Sequence, residues 1–315
     1  MIITKDISVI IPAYNRLWCL PRAVNSCRNT KCNTEIIVVD DGSTDGTWEW
    51  LIQQQDVVAI RQENQGQTYA INKGTSVATG KYLRFLDSDD FLLPGTIDKQ
   101  FEKALVTGAE LICSRVDYYA ENTKEITVAP DLINWNDFLE IQLGNNYGSH
   151  FLGMLFHRNL IEQVPRRPDF AFREDRMFLL EVALLNPKMA IVEGCAGYWV
   201  QHRQQMQGSY NGSNLETVNE QHLKIYQTIL GELQTRGMLQ PRYKKAACTV
   251  LWPLAHWIAK YDLPAATKLT KWIYKLDPRF KIPVYGILGF SYRQLGFNAT
   301  EKLLRIRRWV KHRWK

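Results

Sequence analysis

The sequence lacks the long apolar run of a membrane-spanning segment. No stretch of its 315 residues approaches the ~18 to 20 consecutive apolar positions that such a helix needs. The N-terminal residues MIITKD also lack the basic-then-apolar pattern of a secretory signal. We therefore expect a cytoplasmic protein.

Cysteine is scarce, and the sequence contains no C-x-x-C pair. The six cysteines are scattered along the chain, which in a cytoplasmic protein indicates reduced thiols at structural positions rather than a disulfide scaffold or a zinc site. The chain is 45% hydrophobic and 23% charged, as in an ordinary globular protein. Single cores stop growing near about 250 to 300 residues, so we expect a second lobe or a large appendage.

Two common phosphate-binding motifs are also absent. The first predicted strand is followed by Pro12-Ala-Tyr-Asn15 rather than by G-x-G-x-x-G, and G-x-x-x-x-G-K-[ST] occurs nowhere. Dinucleotide-binding and P-loop folds therefore lose their main support.

Strand-like and helix-like segments alternate over the first 110 residues. Short β-branched runs end where small or acidic residues begin, and helical patterns separate them. This alternation predicts an α/β fold whose mainly parallel sheet binds ligands at the carboxyl ends of its strands. The predicted strands are 8–11, 35–39 and 81–86, and the predicted helices are 17–28, 47–55, 68–78 and 96–107.

The rest of the chain divides into two further regions. One is less regular and has a single helix signal, after Glu174 and Asp175, whereas the other is helical throughout, with predicted helices at 216–236, 243–261 and 263–276. The predicted division of the chain is 1–110, 111–214 and 215–315.

Three carboxylates lie within four positions at the end of the third predicted strand. Asp87, Asp89 and Asp90 follow the apolar residues Phe85 and Leu86. Carboxylates this close raise one another's pKa, so they need a cation or a set of hydrogen-bond donors. Oxygen ligands of this kind suit Mg²⁺ or Mn²⁺, which would bridge them to an anionic diphosphate. A solvated acidic turn that caps the next helix is the simpler alternative.

A second acidic loop, VVDDGSTDGT at 38–47, follows the second predicted strand. Gly42 permits a tight turn, and Ser43 or Thr44 can cap the helix that follows. Asp41 can accept a hydrogen bond from a ring N–H of a base. A turn with a helix cap alone would explain the loop equally well.

Four segments occur in order: SVIIPAYNR at 8–16, VVDDGSTDGT at 38–47, ENQGQTYAINKG at 63–74 and FLDSDD at 85–90. Together they resemble the signature of family 2 glycosyltransferases, inverting enzymes with the GT-A fold. The likeness covers roughly residues 7–210. It implies a Rossmann-like nucleotide-sugar-binding domain that transfers a sugar from a nucleotide diphosphate donor to an acceptor hydroxyl.

The resemblance also implies roles for individual residues. The backbone around Pro12 and Tyr14 would frame a uracil, and Asp41 would bind its edge. Asp87 would face the ribose and donor sugar, and Asp89 would ligate a divalent metal, Mn²⁺ or Mg²⁺. The complete implied donor-binding set is Pro12, Ala13, Tyr14, Asp41, Asn72, Asp87 and Ser88. The family often has Arg before the Asn of the third motif, where this chain has Ile71, so a donor contact from that position is not expected.

The segment Phe172-Arg-Glu-Asp-Arg-Met177 matches the family's Glu-Asp motif, in which the Asp is the catalytic base. Asp175 would open a helix, whose N-terminus favours an ionised carboxylate, and would accept the acceptor's proton as charge develops. Without the other motifs, Glu174 and Asp175 would be only favourable first-turn acids.

His202 lies in a Tyr-x-x-x-His segment, YWVQH, that many family members share, and Ser209 follows it. The resemblance implies that His202, and with it Arg203, contacts the metal or diphosphate when a C-terminal loop closes. A structural role for a single histidine is the alternative.

The net charge of +7 comes mainly from the C-terminus, where residues 305–315 hold four Arg and two Lys without an acid. Leu303, Ile306, Val310 and Trp314 form one helical stripe beside these cations. A basic amphipathic helix suits an anionic membrane surface, so we predict peripheral contact with the inner membrane face through 303–315. A solvated tail is the alternative, and without a recognisable motif we expect no nucleic-acid partner.

We therefore predict a metal-dependent inverting glycosyltransferase that uses a UDP-sugar, with a glycan or lipid-linked acceptor of cell-surface polysaccharide or glycolipid assembly. One alternative is a catalytically inactive sugar-nucleotide-binding scaffold. The other is a sugar nucleotidyltransferase, which would need a Gly-rich, basic phosphate loop near the N-terminus that the sequence does not contain.

Overall fold

The computed structural model describes residues 3–144, 150–205 and 214–313, with side chains as far as residue 306. The chain forms two compact units. The first comprises Met1–Phe138 and Asn146–Gln205, and the second comprises Leu139–Asn145 and Met206–Lys315.

Nine strands of the described chain form the sheet of the first unit, in the order β3-β2-β1-β4-β8-β6-β9-β5, with β7 paired to β6. The strands are β1 (Lys5–Ala13), β2 (Thr34–Asp40), β3 (Val57–Arg61), β4 (Gly80–Phe85), β5 (Phe91–Leu92), β6 (Leu111–Ala120), β7 (Ile126–Thr127), β8 (Met154–His157) and β9 (Met189–Gln201). The helices are α1 (Leu20–Ser26), α2 (Thr47–Leu51), α3 (Gln67–Val77), α4 (Thr96–Thr107), α6 (Arg158–Gln163) and α7 (Glu174–Leu184). A further helix, α5 (Phe138–Leu143), falls across the division of the chain.

Strands β1 to β4 form the parallel half of the sheet, with β1 between β2 and β4. Ala13 pairs with Asp40, and Ile10 pairs with Phe85, so these strands end at the same edge. The Val and Ile side chains of the two inner strands β1 and β2 are buried on both faces, as expected for a parallel sheet covered by helices. The acidic loops after β2 and β4 therefore emerge beside one another.

Helix α3 lies close against the sheet because Gly74 has no side chain. A Cβ atom there would approach Ile10 Cγ2 to 2.7 Å and Val39 Cγ2 to 3.2 Å. The predicted strands and helices of the first 110 residues are confirmed, with shorter helices at 20–26 and 47–51 than expected.

The second unit is helical, as predicted. Its helices are α8 (Leu215–Thr235), α9 (Pro241–Ile258), α10 (Leu263–Leu276) and α11 (Gly286–Arg313), with α11 kinked at Gly296 (φ 77°, ψ 172°). Glu301 of α11 is fully buried and accepts a hydrogen bond from Tyr292 at 2.5 Å. Within the described residues, no helix is both long and apolar enough to span a bilayer.

Candidate active site

The acidic cluster predicted after β4 is present at the carboxyl edge of the parallel strands. One oxygen from each of Asp87, Asp89 and Asp90 lies within 4.8 Å of the others. Burial, followed by repulsion from Asp89 and Glu174, raises the pKa of Asp87 well above its usual range. Burial and the charges of Asp87 and Asp89 do the same to Asp90. Three clustered carboxylates, of which Asp87 and Asp90 have raised pKa values, favour a bound cation.

The donor set fits a hard divalent metal. Asp90 Oδ1 accepts a hydrogen bond from the Val200 amide at 2.8 Å, whereas its buried Oδ2 has no hydrogen-bond partner among the described residues. Asp87 receives one bond from Gln67 Nε2, also at 2.8 Å. The cluster thus has more acceptor oxygens than protein donors, as expected of oxygen ligands for Mg²⁺ or Mn²⁺.

His202 reaches this cluster from the end of β9. Its Nε2 lies 2.8 Å from Asp89 Oδ2, and its Nδ1 accepts a bond from the Gln204 amide at 3.2 Å. Because Nδ1 accepts a hydrogen bond, Nε2 carries the ring proton and donates a hydrogen bond to Asp89. His202 can ligate a metal through Nε2 only after this proton leaves. The neighbouring Arg203 is exposed, and Ser209 lies outside the described residues.

Asp41 organises the loop that precedes α3. This carboxylate is 3% exposed and accepts bonds from Gln62 Nε2 at 2.7 Å, the Gln65 amide at 2.9 Å and the Gly66 amide at 2.8 Å. Oδ2 has the single donor Gly66, so it keeps a lone pair for a ligand. Its predicted contact with a base remains a prediction.

The loop after β1 is tied to the loop after β2. The Asn15 amide donates to Ser43 Oγ at 2.8 Å, and Asn15 Oδ1 accepts from the Thr44 amide at 2.8 Å. These bonds leave Tyr14 45% exposed beside the buried Ala13. The predicted donor-binding residue Ser88 is also buried.

Glu174 and Asp175 open α7, as the sequence predicts, but their surroundings differ. Glu174 is buried, whereas Asp175 is exposed to solvent. Both charges contribute to the raised pKa of Asp87, which places the start of α7 near the acidic cluster. The structure therefore brings the Glu-Asp segment and the acids after β4 to one site.

Arg166 is a component of this site that sequence reasoning missed. The residue is 3% exposed, and its Nη1 donates a hydrogen bond to Glu174 Oε2 at 2.8 Å. The guanidinium carbon Cζ lies 3.8 Å from the ring centre of Phe178 and 4.8 Å from that of Phe85. The Asn72 side chain bonds both the carbonyl and the amide of Arg166, at 2.9 and 3.0 Å. Asn72 therefore holds a buried cation in place, while the preceding Ile71, 1% exposed, belongs to the core.

Replacing Arg166 with methionine is expected to destabilise the protein by about 3 to 5 kcal/mol, because it leaves the Glu174 carboxylate buried without its partner. Urea unfolding measures this change. The double variant Arg166→Met/Glu174→Gln removes both charges and should recover most of the loss. A single variant as stable as the wild type would show that the ion pair is not formed.

The His150 ring packs against Phe151 and Trp199, with ring centres 4.7 and 4.9 Å away. Burial lowers its pKa from 6.5 to about 4, against the opposing charges of Asp175 and Asp89. The unfolded chain then binds a proton that the folded chain does not, so stability falls as the pH drops from 6.5 towards 4.

The His150→Phe variant is expected to lack this part of the acid sensitivity, about 3 kcal/mol at 1.36 kcal/mol per pKa unit. Urea unfolding of both proteins at neutral pH and near pH 4 measures the difference in acid sensitivity. The contributions of titratable groups that the two proteins share cancel in this comparison. An equal loss of stability in wild type and variant would rule out a neutral His150.

The comparisons with known proteins agree on one family. The family model described as glycosyl transferase family 2 matches residues 8–164. An uncharacterised glycosyltransferase of Haemophilus influenzae is 32% identical over 187 residues, which are 56% of this chain and 70% of the relative. One from Nostoc sp. is 34% identical over 169 residues, 50% of this chain and 52% of the relative. GlyG of Streptococcus pneumoniae is 35% identical over 122 residues, covering 37% of this chain and 40% of the relative. The chain thus spans about half the length or less of the latter two.

Solved structures show the same fold. S. aureus TarS 1–349 in complex with UDP-GlcNAc matches with a TM-score of 0.58 and 18% identity, covering 93% of each chain. At this identity the likeness bears on the fold alone. It confirms the predicted GT-A-like architecture, with a mainly parallel sheet and a helical C-terminal region.

Proposed function

The chain belongs to glycosyltransferase family 2, and from this premise we propose that it transfers a sugar from a UDP-sugar to an acceptor hydroxyl with inversion. One observation carries the proposal: Asp87, at the end of β4, lies close enough to Glu174 and Asp175 at the start of α7 for their charges to raise its pKa. An inverting transfer needs groups for the leaving diphosphate and a base for the acceptor. The two acidic segments supply these two functions.

The donor is assigned to the carboxyl ends of β1, β2 and β4. Tyr14 offers an exposed ring to the base, while Pro12 and Ala13 provide the adjoining backbone. Asp41 would accept from the uracil, and Asp87 and Ser88 would face the ribose and sugar. Asn72 supports the same region through its bonds to Arg166. TarS binds UDP-GlcNAc in its crystal structure, which supports a UDP-sugar donor on this fold.

The cofactor we propose is Mn²⁺ or Mg²⁺ held by Asp89, with Asp87 and Asp90 beside it and His202 as a further candidate ligand. When bound, such a cation neutralises charge on a diphosphate leaving group. Asp89 would hold the cation with Asp87 beside it, while Arg166 balances the charge of the neighbouring Glu174.

Asp175 is the proposed base. Its position in the first turn of α7 places it near the positive end of the helix dipole, which favours the ionised carboxylate. Because Asp175 is exposed, an acceptor hydroxyl can reach it and transfer its proton in the transition state. Glu174, paired with Arg166, instead positions the turn.

The acceptor we propose is a glycan or a lipid-linked glycan of cell-surface polysaccharide or glycolipid assembly, with the protein at the inner membrane face. The basic amphipathic segment 303–315 supports this placement. Of its predicted stripe, Leu303 and Ile306 are 54% and 60% exposed, whereas the side chains of Val310 and Trp314 lie outside the described residues.

Thermal unfolding with UDP-, GDP- and dTDP-sugars in the presence of Mn²⁺ tests the donor assignment, since a ligand of the folded state raises its apparent stability. We expect UDP-sugars to stabilise the protein most and to release UDP when an acceptor is added. Stabilisation without turnover on any acceptor would favour an inactive scaffold. Formation of a UDP-sugar from UTP and a sugar phosphate would identify a nucleotidyltransferase.

A further inference from the structure

Exposed apolar side chains are concentrated along α11 and the residue before it. Twelve large apolar side chains of the described residues are more than half exposed, and six of them lie between positions 285 and 306. These six are Tyr285, Ile287, Phe290, Leu295, Leu303 and Ile306, and we call them the α11 surface. Tyr285 and Ile287 are 88% and 87% exposed. Single exposed apolar residues are common, but a concentration of them marks an interaction site.

The helix places four of these side chains in two pairs. Ile287 and Phe290 are three residues apart before the kink at Gly296, and Leu303 and Ile306 are three apart after it. Residues at this spacing share one face of a helix. Each half of α11 therefore presents an apolar pair to solvent.

The exposed charges along the segment that carries the α11 surface have one sign. No Asp or Glu occurs from 278 to 300, and Glu301 is fully buried. The basic residues from 279 to 305 are all exposed, and none has an ion-pair partner among the described residues: Arg279, Lys281, Arg293, Lys302 and Arg305. The surface therefore combines insertable apolar groups with unneutralised cations.

We propose that the α11 surface binds an anionic lipid bilayer, with Tyr285, Ile287 and Phe290 inserted among the head groups and the five cations against lipid phosphates. Aromatic and aliphatic side chains flanked by Lys and Arg are the composition of interfacial helices. The contact begins about twenty residues before the basic segment 303–315, with Tyr285, Ile287 and Phe290, and continues into that segment through Leu303 and Ile306. The proposal deepens the proposed function by placing the enzyme where a lipid-linked acceptor would be.

Two other occupants fit the surface less well. A second copy of this chain would present the same cations, and like charges facing each other oppose association. Single-stranded nucleic acid would use the cations and the rings of Tyr285 and Phe290 for stacking, but it would leave Ile287, Leu303 and Ile306 without apolar partners.

Sedimentation of the full chain with phosphatidylcholine vesicles that contain about one-third phosphatidylglycerol tests the proposal. The Ile287→Ser/Phe290→Ser variant should bind about tenfold or more weakly, because it loses two inserting side chains. The matched control is Leu105→Ser/Val106→Ser on α4, whose side chains are 56% and 80% exposed, and it should bind like the wild type. Binding should also fall with added salt and on vesicles of phosphatidylcholine alone.

Several results would overturn the proposal. Binding that is unchanged in Ile287→Ser/Phe290→Ser but lost on deletion of 303–315 would assign the contact to the C-terminal segment alone. A wild-type dimer that this variant dissociates in sedimentation velocity would assign the surface to a second copy. If the Ile287→Ser/Phe290→Ser variant binds vesicles like the wild type but loses affinity for a single-stranded oligonucleotide, the surface would be assigned to nucleic acid. None of these measurements requires sugar transfer, so failure here leaves the proposed sugar-transfer activity untouched.

Discussion

Replacing Asp175 with asparagine is expected to lower the rate of sugar transfer by about 10²-fold or more, while donor binding changes little. The amide keeps the size and position of the side chain but cannot accept the proton of the acceptor hydroxyl, and such general-base contributions are worth about 10²- to 10⁴-fold. Asp175 is exposed, so the substitution should not disturb the core. Initial rates with a UDP-sugar and calorimetric UDP binding measure the two effects separately.

The matched control is Asp56→Asn. Asp56 is an exposed carboxylate that pairs with Arg28, and it precedes β3, at the edge of the sheet opposite the acidic cluster. This variant should transfer sugar at the wild-type rate. If Asp175→Asn also transfers at that rate, Asp175 has no part in the mechanism.

The Asp89→Asn variant is expected to lose the metal dependence of UDP binding and about 10²-fold or more of the transfer rate. A metal on the leaving group contributes several kcal/mol to transition-state stabilisation, and each 1.36 kcal/mol is a factor of ten. Substituting Asn for Asp89 removes one of the three clustered carboxylates and leaves only a neutral amide oxygen to accept the His202 bond. Calorimetric titration of UDP, with and without Mn²⁺, measures the difference.

Asp175→Asn serves as the control for this second experiment, since it should retain the full metal dependence of UDP binding. Equal UDP affinity with and without Mn²⁺ in the wild type would count against the metal assignment. Loss of UDP binding in Asp89→Asn irrespective of Mn²⁺ would instead indicate a direct contact between Asp89 and the donor.

Three of the four parallel strands, β1, β2 and β4, were predictable because their signals are local, whereas the short strand β3 was not predicted. The β-branched runs of β1, β2 and β4, and the acidic loops after β2 and β4, follow one another within single segments of sequence. The strand β9 was not predictable in the same way, because Glu193, Gly194 and Gly197 interrupt its apolar pattern. Its pairing with the distant β6 supplies the hydrogen bonds that the local sequence does not indicate.

The same difference between local and long-range signals applies to the candidate site. Asp41, Asp87, Asp89 and Asp175 could be named because each lies in a short motif. Arg166 has no such sequence signal, because its position in the site depends on Asn72, 94 positions earlier, and on aromatic rings contributed by other elements. Only folding brings those groups together around one guanidinium.

The most direct test is a crystal structure of the protein with UDP and Mn²⁺, in which anomalous scattering locates the metal. We predict that the Mn²⁺ ion is coordinated by Asp89 and by diphosphate oxygens, and that Asp175 faces the same cavity from the start of α7. A metal bound elsewhere, or a diphosphate remote from Asp87, Asp89 and Asp90, would contradict the assignment of this acidic cluster to the sugar-nucleotide donor.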